Sequence, residues 1–525
     1  MTSVSPEAHA ADNCDAILHG REQEAPFFAK VDVVIVGSGS GGAVMARELA
    51  RDGRSVLVVE EGGHFLPSEY GAMSPSNSIR RLAREAGLAV AVGRGDTPLI
   101  SVMSGKCVGG SSVLTGGVCF RIPDEILHEW STDHGLGELT PEKLAPYFEE
   151  VERTIHVETV PEAMRSRSSQ LFVEGAAAMG VKMKSLRRNT KGCHGQARCN
   201  FGCPHGAKMS VDLSFLPDAY AHGAKVISDA LVERIDFSMN RATGVRGRFL
   251  DGRTGEPRVP FTVQAKVVVV ACGSLHTPVL LRRSGMDTAA IGKHLTLHPG
   301  FRICGLFDEE VNGWDGAMQS IYSDHFESDG ITLVGVYSAV NVLAAGMPGI
   351  GKEHRRVAAE MPRMAVFGGM VHDDGGGRVH RWLSREPLVT YRMSARDRAR
   401  MFKGIQILGT MAFRAGAREV LLPVFGSEPF KTEKELEFLT ERPPSAQRVE
   451  SMAFHPLGSA KMSRDPRGGV VKPTGEAWEA DNLIIADGSV LPSSIGVNSQ
   501  VPVMAMSLKI ARGLCDDWAR YARRA

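Results

Sequence analysis

Three absences narrow the classes of protein to which this sequence can belong. No stretch of the 525 residues approaches the roughly 20 consecutive apolar residues of a membrane span. The N-terminus lacks a basic start followed by an apolar run, so no secretory signal is expected and a cytoplasmic location is predicted. Neither charge sign dominates, because 61 Lys and Arg against 60 Asp and Glu give a net charge of +1. Nucleic acid and anionic membrane surfaces are therefore not expected as partners, whereas a small molecule is.

Cysteine is scarce and unevenly placed. Nine cysteines are an odd number, and in a reducing compartment a disulfide framework is not expected. Three of them, Cys193, Cys199 and Cys203, stand as C-x5-C-x3-C in the loop 192–210. This spacing leaves two interpretations open. Either three thiolates bind a metal or a [3Fe-4S] cluster, or the cysteines are small apolar side chains packed within a glycine-rich loop.

The strongest pattern in the sequence lies between residues 31 and 63. An apolar run, Val33–Val36, stops at the glycines Gly37, Gly39 and Gly42, and the spacing predicts a helix over 43–51. The pattern indicates a strand, a tight turn and a helix whose N-terminus can hold phosphate charge.

A second predicted strand, 55–59, ends at Glu60. Glu60 follows Gly37 by 23 residues, which is about the spacing at which a carboxylate reaches a ribose hydroxyl. The neighbouring Glu61 is the alternative for this role. Strand, glycines, helix, second strand and acid occur in the expected order, so the segment is predicted to bind an adenine dinucleotide.

A second stretch rich in small residues covers 101–121. Gly109, Gly110, Ser111 and Ser112 would let the backbone lie tightly against a planar or phosphorylated ligand. A flexible surface loop is the alternative interpretation of the same composition.

The rest of the chain predicts an α/β fold with a discontinuous Rossmann-like part. Apolar strands near 226–235 and 266–271 would join the nucleotide-binding sheet, giving a domain over 30–295 that carries the cysteine loop 192–210 as an insertion. Alternating segments between 296 and 450 predict a substrate-binding domain with an antiparallel sheet. Residues 451–525 return to the first domain.

Five motifs together resemble the glucose-methanol-choline (GMC) family of FAD-dependent oxidoreductases. They are the opening unit at 31–63, GKCVGGSS at 105–112, GSLHTPVLLRRSG at 273–285, HPLGS at 455–459 and DGSVLPSSIGVN at 487–498. They follow the family's order over nearly the whole chain. HPLG and SIGVN are most similar to the cholesterol oxidase and long-chain alcohol oxidase branch.

The resemblance implies roles for individual residues. Those implied to hold the ADP half of FAD are Gly37, Gly39, Gly42 and Glu60. Those implied to lie against the flavin or its phosphates are Gly109, Gly110, Ser111 and Ser112. Val232 would contact the adenine side, and Asp487 would lie near the ribityl-phosphate region. Thr115 stands where the family usually has asparagine, and no histidine stands beside the glycine loop, so noncovalent FAD is expected.

The resemblance also implies that His455 and Asn498 are the catalytic pair. An alcohol loses a hydroxyl proton and a carbinol hydride on oxidation, so an imidazole that takes the proton and an amide that holds the oxygen suit this reaction. Each residue has a structural alternative, His455 as a buried side chain before Pro456 and Asn498 as a turn residue after Gly496.

The predicted function is FAD-dependent oxidation of an apolar or bulky alcohol to an aldehyde or ketone. The expected partners are the alcohol and an electron acceptor, which is either oxygen or a redox protein or quinone. An FAD-containing lyase on the same fold, of the cyanohydrin-cleaving type, and a flavin-binding protein without catalysis are the alternatives.

Overall fold

Two β-sheets organise the structure, a computed structural model that describes residues 14–337, 340–345, 347, 349–382 and 384–523. The chain up to residue 13 lies outside the described residues, so the prediction about a secretory signal is not addressed. The mixture of a largely parallel sheet and a largely antiparallel sheet confirms the predicted α/β fold class.

The first sheet contains eight strands within the described part of the chain. Valine-rich segments buried on both faces form its centre, as expected for parallel strands covered by helices. Val33 is paired with Val56, and Val36 with Val270. In spatial order the strands are Ile17–His19, Lys225–Ser228, Val56–Val59, Phe27–Val36, Pro257–Val270, Arg241–Leu250 and Ala230–Ser238, and Leu483–Ile485 pairs in parallel with Pro257–Val270.

The second sheet is built around the strand Gly300–Leu306. Within the described residues its strands are, in order, Arg378–His380, Leu388–Tyr391, Val90–Gly93, Ile100–Val102, Ser451–Ala453, Gly300–Leu306, Met364–Val371, Ile331–Gly335, Ile321–Ser323 and Lys184–Ser185, with Glu419–Leu421 also paired to Gly300–Leu306. Strands from 90–102 and 184–185 thus join a sheet that otherwise comes largely from 296–450. A small separate ladder pairs Val157–Thr159 with Arg187–Asn189.

Helices cover the outer faces of both sheets. Ser40–Arg51 and Gln500–Asp516 pack against each other beside the first sheet, while Ala395–Arg414 and Arg167–Ala178 cover the second. The other helices are Pro67–Ala72, Pro75–Leu82, Asp124–Thr132, Pro141–Thr154, Phe215–Ala221, Gly273–Arg283, Val340–Ala345, Lys352–Ala359, Phe438–Glu441 and Trp518–Arg523. None of the helices described in this structure has the length and apolar character needed to cross a bilayer.

Candidate active site

One cavity of about 380 Å³ is lined by residues from both sheets. It brings together ten residues singled out in the sequence: Gly37, Gly39, Glu60, Gly110, Ser111, Ser112, Val232, His455, Asp487 and Asn498. These positions span more than 450 residues of sequence, so the fold assembles at one place what the motifs indicate separately. The cavity extends from the glycine turn of the first sheet to one face of the second.

At one end the cavity meets the N-terminus of the helix Ser40–Arg51. Gly37 has φ +97°, a left-handed conformation that glycine adopts without steric cost. Gly39 is the N-cap residue and supplies no side-chain cap, so the first N–H groups of the helix face the cavity. A Cβ on Gly110 would lie 2.8 Å from the Cα of Gly39, which makes the two glycines the walls of a narrow slot. An uncapped helix N-terminus in such a slot fits a diphosphate.

Gly42 and Gly109 shape this end from behind the lining. A Cβ on Gly42 would lie 1.9 Å from the carbonyl oxygen of Gly37, so glycine is required for the helix to pack closely on the turn. Gly109, with φ +91°, donates its N–H to Ser38 Oγ at 3.1 Å. Gly42 therefore acts through close packing, and Gly109 through its backbone conformation.

Glu60 is buried at the end of the strand Val56–Val59. Its Oε2 accepts hydrogen bonds from the backbone N–H and the hydroxyl of Ser38, at 3.0 and 2.7 Å, and its Oε1 accepts one from Gly62 N at 2.8 Å. Burial raises the pKa of Glu60. Glu61 faces Arg84 at 2.6 Å instead, and despite the opposing effect of burial this arginine lowers the pKa of Glu61 to about 2. Both carboxylates line the cavity, so the choice between them as the ribose ligand stays a prediction.

Asp487 joins two elements at the middle of the cavity. Its Oδ2 accepts from Gly273 N at 2.9 Å and from Thr277 Oγ1 at 2.5 Å, and its Oδ1 accepts from Ser489 N at 2.8 Å. The carboxylate therefore caps the helix Gly273–Arg283 and holds the turn that follows the strand Leu483–Ile485.

The glycine-serine loop is fixed from within and from the C-terminal helix. Ser112 donates its hydroxyl to Gly109 O at 2.7 Å and accepts from Val211 N at 3.1 Å. Thr115, which replaces the expected asparagine, lies 3.1 Å through its hydroxyl from Oε1 of Gln500. The loop is thus an ordered wall of the cavity, which argues against the flexible surface loop considered above.

His455 and Asn498 meet at the other end of the cavity. Asn498 Nδ2 donates to His455 Nε2 at 3.1 Å, while Asn498 Oδ1 and His455 Nδ1 are buried without a hydrogen-bond partner among the described residues. Burial, and secondarily the nearby ring of His298, lowers the pKa of His455 to about 3. The imidazole is therefore neutral at physiological pH and presents Nε2 as an acceptor.

His298 is a site residue that the sequence analysis missed. Its Nε2 accepts the backbone N–H groups of Ile495 and Gly496, each at 3.2 Å, which fixes the proton of the neutral ring on Nδ1. Burial lowers the pKa of His298 to about 3. His298 also has φ +49°, an unusual conformation for a residue other than glycine. Its one signal in the sequence is the dipeptide His-Pro, which occurs again at His455.

The structure does not support a metal site at the three cysteines. In the part of the chain that is described, no group of three or more His, Cys, Asp or Glu side chains is arranged to hold a metal ion. Cys193, Cys199 and Cys203 line a cavity of only about 20 Å³, room for about one water. The Arg188 guanidinium donates to Cys199 Sγ at 2.8 Å, so a cation already occupies the position that a metal would need. The cysteines are free thiols in the loop, the alternative considered from the sequence.

The same loop instead supports the glycine-serine loop that forms one wall of the cavity. Buried Lys208 donates from Nζ to the carbonyl oxygens of Val113, Thr115 and Cys199, at 2.6, 2.9 and 2.7 Å. Burial lowers the pKa of Lys208 to about 8, so the ammonium remains mostly protonated at neutral pH and keeps all three donors. Loop 192–210 is therefore a structural brace beside the cavity.

Comparison with solved structures supports the same fold. Pyridoxine 4-oxidase from Mesorbium loti is similar with a TM-score of 0.71 at 18% identity, covering 92% of this chain and 98% of that chain. A fungal aryl-alcohol oxidase is similar with a TM-score of 0.63 at 18% identity, covering 93% and 99%.

Sequence relatives and family models give the assignment. An uncharacterized GMC-type oxidoreductase of Mycobacterium tuberculosis is 37% identical over 490 residues, 93% of this chain and 76% of the relative. Long-chain-alcohol oxidase FAO1 of Arabidopsis thaliana is 28% identical over 530 residues, 95% of this chain and 68% of the relative. Two models described as GMC oxidoreductase match residues 31–300 and 380–507. Because these matches cover most of the chain, in an order that agrees with the motifs and with the cavity they form, the protein belongs to the GMC oxidoreductase family.

Proposed function

We propose that this protein is an FAD-dependent oxidoreductase that converts an apolar or bulky alcohol into an aldehyde or ketone. The observation that carries the proposal is the partly buried pair His455 and Asn498, whose Nε2 and Nδ2 atoms lie 3.1 Å apart in the lining of the cavity that also contains the dinucleotide slot. The long-chain-alcohol oxidases and the aryl-alcohol oxidase among the similar proteins support this reaction class.

The residues at the glycine turn suit the adenine dinucleotide part of FAD. The uncapped helix N-terminus at Gly39 faces the diphosphate position, Glu60 lies at the end of the next strand, and Val232 lines the same part of the cavity. Gly110, Ser111 and Ser112 then form the wall for the flavin portion. When bound there, FAD supplies the hydride acceptor.

His455 acts on the hydroxyl proton. Its Nε2 carries no proton, because it accepts from Asn498, and the low pKa keeps the ring neutral. Nε2 has one lone pair, so an alcohol hydroxyl that takes the place of the Asn498 N–H donates its proton there as the carbinol hydride leaves. General-base assistance of this kind accounts for about 100- to 10,000-fold in rate.

Asn498 holds the alcohol oxygen. Its amide donates a hydrogen bond without titrating, so it stabilises the oxygen as negative charge develops, a contribution of about 3 kcal/mol at comparable sites. His298 keeps this donor in place, since its Nε2 anchors Ile495 and Gly496 two to three residues before Asn498. His298 is thus a positioning residue for the reaction.

We propose that different parts of the chain hold the cofactor and the alcohol. Residues 30–295 and 451–525 hold FAD and the catalytic pair, and residues 296–450 supply most of the pocket for the alcohol. The apolar cavity face formed by Val334, Val366 and Met370 supports an apolar substrate.

The test is the visible spectrum of the purified protein under anaerobic conditions, before and after addition of long-chain, aryl, terpene and sterol alcohols. Bleaching of the oxidised flavin band by one class is expected and identifies that class. A flavin band indifferent to every alcohol would favour the lyase, and a protein without flavin would refute the proposal. Peroxide release on admission of air would distinguish oxygen from a protein or quinone acceptor.

A further inference from the structure

One face of the second sheet forms the floor of the cavity, and side-chain alternation shows which residues it presents. On the strand Gly300–Leu306, the ring of Phe301 packs against the helix position Gly404, where an added Cβ would lie 2.3 Å from the ring. Successive side chains point to opposite faces, so Gly300 and Arg302 share the cavity face. Arg302 is therefore directed into the site.

Apolar residues surround Arg302 on this floor. The adjoining strands and connections contribute Val334, Val336, Val366, Met370 and Met452 to the same cavity lining. Gly368 lies opposite Arg302 in the antiparallel ladder, and the Val336 side chain packs over it, since a Cβ added at Gly368 would lie 2.7 Å from Val336 Cγ1. A guanidinium in such surroundings requires hydrogen-bond partners for its N–H groups.

Only some of the N–H groups of Arg302 have a hydrogen-bond acceptor. Its Nη2 donates to the two carboxylate oxygens of Glu450, at 3.1 and 3.3 Å, and its side chain is only 14% exposed. Its Nε is buried without a hydrogen-bond partner among the described residues. Since the Glu450 carboxylate already balances the positive charge, the free N–H suits an uncharged oxygen acceptor better than a second anion.

The same pair of strands connects this position to the catalytic pair. Gly300 pairs with Met452 in antiparallel register, which places Arg302 and Glu450 at one end of the pairing and His298 and His455 towards the other. Positions 298 and 302 are four residues apart, which corresponds to at most about 13 Å of extended chain. A substrate that contacts both ends must therefore be elongated.

We propose that Arg302 recognises an uncharged oxygen, of an ether, carbonyl or hydroxyl group, at the far end of an elongated alcohol whose reacting hydroxyl lies at His455 and Asn498. This inference rests on the proposed function and specifies its substrate class. The apolar floor accommodates the body of the molecule, and the exposed part of the Arg302 guanidinium makes a hydrogen bond that a plain alkyl chain leaves unmade.

The test compares two alcohols of equal chain length, dodecanol and ω-methoxydecanol, by the rate of anaerobic flavin reduction as a function of concentration. The wild-type protein should show at least about ten-fold higher kcat/KM for the methoxy alcohol, and Arg302→Met should abolish the preference while reduction by dodecanol persists. Equal rates for the two alcohols in the wild type, or a preference that survives in Arg302→Met, would overturn the inference while alcohol oxidation stands. Failure of both alcohols to bleach the flavin would overturn the inference along with the proposed function for long-chain alcohols.

Two further variants separate recognition from loss of folding. Arg165 offers a matched control, because its Nε is likewise buried without a partner among the described residues and its Nη1 pairs with Glu162 at 3.0 Å, but away from the cavity lining. Arg165→Met should keep the preference. Glu450→Gln retains the Nε donor but removes the balancing charge, so hydroxyundecanoate should become a better substrate than it is for the wild type. A wild-type preference for hydroxyundecanoate over the methoxy alcohol would overturn the assignment of an uncharged acceptor.

Discussion

His298 and His455 face each other with ring centres 5.4 Å apart and an angle of 59° between their planes. Each precedes a proline, and each lies in the cavity lining. Burial and then the His298 ring lower the pKa of His455, and burial and then the His372 ring lower the pKa of His298. The site therefore keeps both rings neutral, His298 as an anchor for a loop and His455 as the acceptor that we propose for the alcohol proton.

This pair predicts a loss of stability in acid. Both folded-state pKa values are about 3, below the ordinary value of 6.5, so only the unfolded chain takes up these protons as the pH falls below 6.5. As the pH falls from about 6.5 to 5, the free energy of unfolding therefore decreases by about 2 kcal/mol for each histidine, and the decrease continues to about pH 3. His298→Gln retains an acceptor for Ile495 and Gly496. The free energy of unfolding in urea should fall less between pH 7 and pH 5 for this variant than for the wild type. An identical pH dependence in the two proteins would contradict the prediction.

Removal of the base should slow flavin reduction without releasing FAD. His455→Ala is expected to lower the anaerobic reduction rate about 100- to 10,000-fold, because the proton acceptor is lost while the glycine turn is untouched. Stopped-flow absorbance and the flavin-to-protein ratio measure the two effects.

Asn498→Ala is the companion variant for that experiment. It should slow reduction by about 100-fold, through loss of the hydrogen bond to the alcohol oxygen. Unchanged reduction in His455→Ala would remove this histidine from the proposed mechanism.

Close packing at the glycine turn predicts opposite effects for two glycine substitutions. Gly42→Ala places a Cβ 1.9 Å from Gly37 O and should destabilise the protein by about 1–3 kcal/mol and weaken FAD binding. Gly513 lies in the helix Gln500–Asp516 with no atom within 4 Å of an added Cβ, so Gly513→Ala should stabilise by about 0.5–1 kcal/mol. Thermal unfolding and flavin titration test both, and equal effects would argue against packing as the cause.

The lysine brace predicts a link between the cysteine loop and the cofactor. Lys208→Met keeps a side chain of similar length but leaves three buried carbonyl groups unpaired, so FAD affinity should fall about ten- to a hundred-fold. Lys509→Met is the matched control, because Nζ of Lys509 makes one long bond, 3.4 Å, to Pro473 O outside the cavity. Equal FAD affinity in the Lys208 variant and the control would show that the brace does not support the flavin wall.

If the cysteines of the loop are free thiols, replacing one of them should hardly change the rate of flavin reduction. Cys199→Ser retains an acceptor for Arg188. The rate at which alcohol reduces the flavin of this variant should therefore lie within about two-fold of the wild-type rate. Elemental analysis of the purified wild-type protein should find no stoichiometric iron. Iron that is bound by the wild type and lost in Cys199→Ser would instead establish the cluster.

Most of the elements that could be predicted from the sequence follow from patterns among neighbouring residues. The strand around Val33–Val36 and the helix beginning within three residues of its predicted start could be predicted because glycine conformation and apolar periodicity act over a few residues. His298 could not, because the N–H groups it anchors lie almost 200 residues away. The spacing of the cysteines left two interpretations open, because it contained no information about how the neighbouring side chains of Arg188 and Lys208 contact the loop.

The strand Leu483–Ile485 and the helix Gln500–Asp516 complete a sheet whose other central strands are made before residue 271. A chain still on the ribosome thus exposes the edge of Val268–Val270 and has neither Asp487 nor Asn498. We therefore expect cofactor capture late in biosynthesis, after residue 500 has emerged, and until then the vacant sheet edge needs protection from aggregation.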